Sequence, residues 1–223
     1  MAGTTELEKV EFAMNPEPRC ACVLLLDTSG SMQGEPISAL NEGLRILKEE
    51  LMKDELASKR VEIAIVTFDS DVRVVQDFVT VDKFEPPTLT AQGLTYMGTA
   101  ILKALDMIEA RKSVYKQYGI SYYRPWVFMI TDGEPQGEPE EIVKLAARRI
   151  AEGEEGNHIV FFAVGVEGAN MERLKSIVVR EPKKLKGLNF RELFLWLSDS
   201  LGRVSASKPG EQVPLPSREW EAV

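Results

Sequence analysis

In this 223-residue chain the side chains suited to site chemistry are oxygen donors gathered in three short stretches. The first is CACVLLLDTSGSMQGEP, where Asp27, Ser29 and Ser31 stand at alternate positions. That spacing lets one tight loop aim a carboxylate and two hydroxyls at one point, with Gly30 allowing a close backbone turn between them. The second is Thr95 in GLTYMGTA, and the third is Asp132 in MITDGEP. Oxygen-only sets select hard divalent cations, above all Mg²⁺, which takes about six oxygens and keeps several waters. Mn²⁺ and Ca²⁺ are the expected substitutes. Two carboxylates and three hydroxyls would leave such an ion incompletely neutralised, with a position open to an oxygen from outside. The chemistry implied is capture of a partner's carboxylate through a bridging ion. Taken alone, Asp27 and the serines also read as a helix cap with an Asx-turn. Thr95 and Asp132, at the ends of two further elements, favour the metal.

The elements that must bring these residues together follow from hydrophobic pattern. ACVLLLD is a continuous apolar run, as expected of a strand buried on both faces of a parallel sheet. Pro36 opens an amphipathic helix over 36 to 53, with Ile37, Leu40, Leu44, Leu47 and Leu51 on one stripe. VEIAIVTFD (61 to 69) and DVRVVQDFV (71 to 79) are too close for a crossover and form a hairpin. A helix over about 98 to 117, a strand in PWVFMITDG, a helix over 139 to 152 and a strand in HIVFFAVGV follow. A short helix at MERLKSI, a short last strand within IVVREPKKL and an amphipathic helix over 190 to 204 complete the pattern. This is an α/β domain: a Rossmann-like three-layer fold with a mostly parallel central sheet, one antiparallel edge strand and helices on both faces. In such sheets sites lie outside the carboxyl ends of the strands. Asp27, Ser29, Ser31, Thr95 and Asp132 should therefore share one rim.

Bulk properties exclude several classes. The net charge of −8 argues against a nucleic-acid platform and against adhesion to anionic lipid. The start, MAGTTELEKVEF, lacks the basic and apolar segments of a secretory leader. The only cysteines, Cys20 and Cys22, share one face of a strand in poor geometry for a mutual disulfide, so reduced core thiols and a cytoplasmic location are expected. Rim charges Glu35, Asp69, Asp71, Glu134 and Glu138 read as solvated loop residues. His158, the single histidine, stands just before a strand and has no triad partners.

The order D-T-S-G-S-M, G-L-T-Y-M-G-T-A, M-I-T-D-G resembles the von Willebrand factor A domain with its metal-ion-dependent adhesion site, over about residues 20 to 204. The resemblance places metal ligation on Asp27, Ser29, Ser31, Thr95 and Asp132. Ser29 and Ser31 would bind directly, Thr95 directly or through water, and the aspartates mostly through coordinated waters. LDTSGSMxGEPI, PTLTAxGLTYMG, RPWVFMITDGEP and the last helix further resemble bacterial TerY-like proteins of tellurium-resistance and stress operons. That likeness implies a cytosolic adaptor whose partner supplies a Glu or Asp carboxylate, such as an operon-encoded phosphatase or kinase-like protein. The expected division is an N-terminal arm (1–18), an A-type domain (19–204) and a flexible C-terminal tail (205–223).

The expected function is therefore a Mg²⁺-dependent interaction adaptor and not an enzyme. One rival is a Mg²⁺-dependent phosphatase of the haloacid-dehalogenase type. It needs a second carboxylate two positions after the nucleophile, where this chain has Ser29, and no lysine stands close to the three loops. The other rival is a metal-independent interaction module.

Overall fold

The structure, a computed structural model, describes residues 11–222. Six strands form one sheet in the order β3-β2-β1-β4-β5-β6. They are β1 (Cys20–Asp27), β2 (Val61–Phe68), β3 (Val72–Thr80), β4 (Trp126–Thr131), β5 (Val160–Gly165) and β6 (Lys183–Lys184). All neighbours run parallel except β2 and β3, the hairpin pair. The helices among the described residues that flank the sheet include α1 (Glu35–Met52), α2 (Glu55–Arg60), α3 (Met97–Tyr118), α4 (Glu140–Glu155), α5 (Met171–Lys175) and α6 (Phe190–Ala206).

Alternation along β1 explains the layers. Cys20, Cys22, Leu24 and Leu26 face one core with α1 and α6. Ala21, Val23 and Leu25 face the other with α3 and α4. Both cysteines are free and buried, as expected, and burial pushes the Cys20 thiol up to about 12. The hydrophobic pattern locates every strand; helix ends shift by a few residues. It misses α2, whose ELASKR has no apolar stripe. That helix starts because the Asp54 carboxylate accepts from Leu56 N and Ala57 N.

The C-terminal segment, expected to be flexible, instead lies against the domain. Ala222 N donates to Lys184 O and Lys186 N to Trp220 O, so the segment extends the β6 edge. Trp220 is 2% exposed and meets Trp196 of α6 edge-on, ring centroids 5.6 Å apart. Trp196 Nε1 donates to Pro216 O at 3.0 Å. Aromatic burial therefore outweighs the polar, Pro-rich composition of the segment. Trp220→Ala should release it: trypsin cleavage after Arg218 is expected to speed up at least ~10-fold while the rest of the domain stays protected. Equal cleavage rates would show that Trp220 does not hold the segment.

Candidate metal centre

Order reverses at β1, which has β2 on one side and β4 on the other. The crevice at such a switch point is where α/β sheets place ligands. Leu26 pairs with Ile130, so Asp27 and Thr131 end the two strands side by side. The chain then leaves β1 through a 3₁₀ turn (Gly30–Met32) into α1, which starts at Glu35 with Pro36 in its first turn.

The hydrogen bonds run as a chain across the crevice. Asp27 Oδ1 accepts from Ser29 N at 2.8 Å, and Asp27 Oδ2 accepts from the Thr131 hydroxyl. Ser29 Oγ and Ser31 Oγ are 3.1 Å apart, and Ser31 Oγ donates to Asp132 Oδ1 at 2.9 Å. Thr95 joins through Gly133: a Cβ built there would lie 3.6 Å from Thr95 Oγ1 and 3.9 Å from Asp27 Oδ2. Asp27, Ser29, Thr95 and Asp132 are buried, while Ser31 is exposed. The structure thus brings all five expected side chains to one rim.

Burial pushes the Asp27 carboxyl up to about 6, against hydrogen bonds from Ser29 and Thr131 and with help from the Asp132 charge. Burial also raises Asp132, opposed by its bond from Ser31. Among the described residues neither carboxylate has a Lys, Arg or His partner within ion-pair distance. Two buried, unpaired carboxylates beside three hydroxyls fit a hard divalent cation and suit no softer metal. They are also the only acidic members of the set: among the described residues, no three His, Cys, Asp or Glu side chains form a metal cluster.

Several supports were not legible in the sequence. Thr131 links Asp27 to Gly133, whose N–H it accepts at 3.2 Å. Gly30 is not in a left-handed conformation. It ties the neighbouring loop through its backbone, with Gly30 N donating to Gly93 O at 3.0 Å, and a Cβ there would meet Gly93 O at 3.4 Å, an ordinary contact. Asp69 is a correction: it is not a solvated charge but 2% exposed. It accepts from Asp71 N, from Arg73 at 2.8 Å and from the Thr28 hydroxyl at 3.3 Å. Glu138 is likewise engaged, with both oxygens bonded to the start of α3. Thr99 lies in that first helical turn, outside the five-residue set, and bonds to Glu138.

A family model for the von Willebrand factor type A domain matches residues 22–192. Among solved structures, a von Willebrand factor type A protein from Catenulispora acidiphila superimposes with a TM-score of 0.63 at 18% identity, covering 83% of this chain and 43% of that one. The PilB minor pilin from Streptococcus sanguinis gives 0.62 at 14% identity, covering 86% of this chain and 64% of that one. The pilus adhesin SpaC from Lactobacillus rhamnosus GG gives 0.65 at 13% identity, covering 83% and 30%. At these identities the likeness shows the fold, and the chain spans less than two thirds of each of these proteins. No curated protein matches.

Proposed function

Because the chain belongs to the von Willebrand factor type A domain family, we propose that its rim is a Mg²⁺-dependent adhesion site that takes a carboxylate from a protein partner. The observation that carries this reading is the pair of buried carboxylates, Asp27 and Asp132, with no Lys, Arg or His paired to them among the described residues. Asp69, one loop away, has Arg73; among the described residues the rim pair has only hydroxyl and backbone N–H donors. Asp27, Ser29, Ser31, Thr95 and Asp132 would hold the ion, which would supply a Lewis-acidic centre for an external oxygen. Thr131 keeps Asp27 oriented, and the Ser29–Ser31–Asp132 chain keeps the other donors convergent.

Hydrolysis is the less favoured reading. The nearby cations Arg73 and Arg173 are committed to Asp69 and Asp71, and to Glu140, which leaves them poorly placed for a phosphate. We carry the TerY-like stress-operon setting as a proposal resting on the motif stretches alone, with a partner encoded nearby. A cytoplasmic setting is proposed with it, on two free buried thiols. Among the described residues no helix is long and apolar enough to cross a membrane.

Saturating Mg²⁺, at ~100-fold above its Kd, should stabilise the chain by ~2.7 kcal/mol. Asp132→Ala should lose that metal-dependent gain and every partner retained in Mg²⁺ but released by chelator. Partner capture that survives chelation and Asp132→Ala would favour the metal-independent module. Mg²⁺-dependent turnover of a chromogenic phosphate ester, lost with Asp27→Ala, would favour the enzyme.

A further inference from the structure

The loop carrying Thr95 is held by a carboxylate that belongs to another loop. Helix α3 begins two residues after Thr95, and its start has no local cap: Tyr96 makes no side-chain bond to it, and its first turn has no acidic residue. A helix leaves its first four N–H groups without intrahelical partners, and they need acceptors when partly buried. Met97 N donates to Thr95 O at 2.9 Å, and Ala100 N to Tyr96 O at 3.1 Å. The two donors between them go to Glu138: Gly98 N at 2.6 Å to Oε1 and Thr99 N at 2.9 Å to Oε2. The Thr99 hydroxyl adds a third bond to Oε2 at 2.8 Å. Glu138 lies 40 residues along the chain from Gly98.

Two further contacts tie the same pair of loops. Thr95 and Gln136 form an antiparallel bridge, with Gln136 N donating to Thr95 O at 3.0 Å. A Cβ at Gly98 would lie 3.0 Å from Val143 Cα, so the α3 start sits directly on the α4 backbone. The loop that supplies Gln136 and Glu138 is the one that begins at Asp132 and Gly133. Thr95 and Asp132 are thereby parts of one braced unit.

We propose that Glu138 is a positioning residue for the metal centre: it clamps the Thr95 loop to the Asp132 loop and so sets the spacing of two donors without itself binding the ion. This role rests on the metal reading given above. A carboxylate suits the task because it presents two acceptors and carries the negative charge favoured at a helix N-terminus. Glutamine offers one acceptor oxygen in place of two, and alanine none.

The test measures Mn²⁺ affinity by titration calorimetry on the full chain, at a temperature where circular dichroism shows each variant folded. Groups that orient metal ligands typically change affinity by ~10–100-fold when removed. Glu138→Ala should weaken Mn²⁺ binding ~10-fold or more, and Glu138→Gln by a smaller factor. Glu140→Gln, in the exposed Arg173 pair nearby, should leave affinity unchanged. If Glu138→Ala fails to fold, Glu138→Gln decides. Wild-type binding matched by the folded Glu138 variants would overturn the clamp and leave the metal centre standing. A wild-type chain that takes up no Mn²⁺ would overturn both.

Discussion

Glu62→Gln should cost about 3–5 kcal/mol of stability, the loss typical of removing one partner from a buried ion pair. Glu62 is 0% exposed in β2 and stands between two guanidiniums. Arg19 Nε donates to its Oε1 at 2.9 Å. Arg111 reaches both oxygens, at 2.7 Å to Oε1 and 2.9 Å to Oε2. The Tyr115 hydroxyl donates to Oε2 as well. Burial alone would favour a neutral Arg111, but Glu62 holds it charged, above its ordinary value. Burial and the Glu62 charge together raise Tyr115. Phe12 lies against both guanidiniums, 5.2 Å from each, so water has little access.

A glutamine amide has the same shape but fails in this position. Its NH₂ would face Arg111 Nε, donor against donor, the Tyr115 hydroxyl would lose its carboxylate acceptor, and buried Arg19 would lose its counter-charge while Arg111 kept only Glu11 at 3.2 Å. At ~2–4 °C per kcal/mol for a chain of this size, the melting temperature should fall by about 10 °C. The Lys48–Glu85 pair, whose Glu85 is exposed, is the control: Glu85→Gln should cost under ~1 kcal/mol. A Glu62→Gln loss as small as that of Glu85→Gln would mean that the network is solvated in solution. Glu62 sits near the start of its strand, about 20 Å from the rim by strand rise. Mg²⁺ affinity of the folded variant should therefore be unchanged.

The contrast between Glu62 and Asp27 shows what the sequence could convey. The run ACVLLLD announces a buried strand, and periodicity alone places Cys20 and Cys22 on one face and Ala21 on the other. The order of the three oxygen-bearing motifs was enough to assemble the rim, because each stands at the end of a recognisable element. Glu62 was visible as a charge inside an apolar run, but its partners lie 43 and 49 residues away, and local pattern carries no such pairing. Glu138 looked like a loop charge for the same reason, because the N–H groups it meets belong to α3. Asp69 bonds locally to Asp71 N and Arg73, but the loops carrying Thr28 and Tyr96 cover it, and burial is a tertiary property. Trp220 was hidden by its polar neighbours: one aromatic side chain seated on Trp196 is enough to fix a segment whose average composition reads as solvated.

Asp27→Asn should raise the stability of the metal-free chain while removing its response to Mg²⁺. The Asp27 carboxyl titrates at about 6 in the fold against an ordinary 3.8, chiefly because burial disfavours its charge. Between those values the folded state holds a proton that the unfolded state has released. Stability of the metal-free chain therefore falls as pH rises from about 4 to about 6, and the loss is complete above that window. At ~1.4 kcal/mol for each pH unit, the gap is worth about 3 kcal/mol at neutral pH. Asparagine keeps the acceptor for Ser29 N and removes the charge, but its NH₂ meets a Thr131 hydroxyl that then lacks an acceptor, which offsets part of the gain. A net rise of about 1–2 kcal/mol, or about 2–8 °C in melting temperature, is expected in chelator at pH 7. The wild-type minus variant difference should shrink as pH is lowered towards 4. Saturating Mg²⁺ should reverse the ranking, since only the wild type offers the ion a full carboxylate at position 27. A variant less stable than wild type in chelator would mean that Asp27 is not strained by its burial. A variant with undiminished Mg²⁺ stabilisation would remove Asp27 from the site. The two signs are coupled by one cause: an uncompensated buried charge destabilises the empty rim and is neutralised when a cation binds.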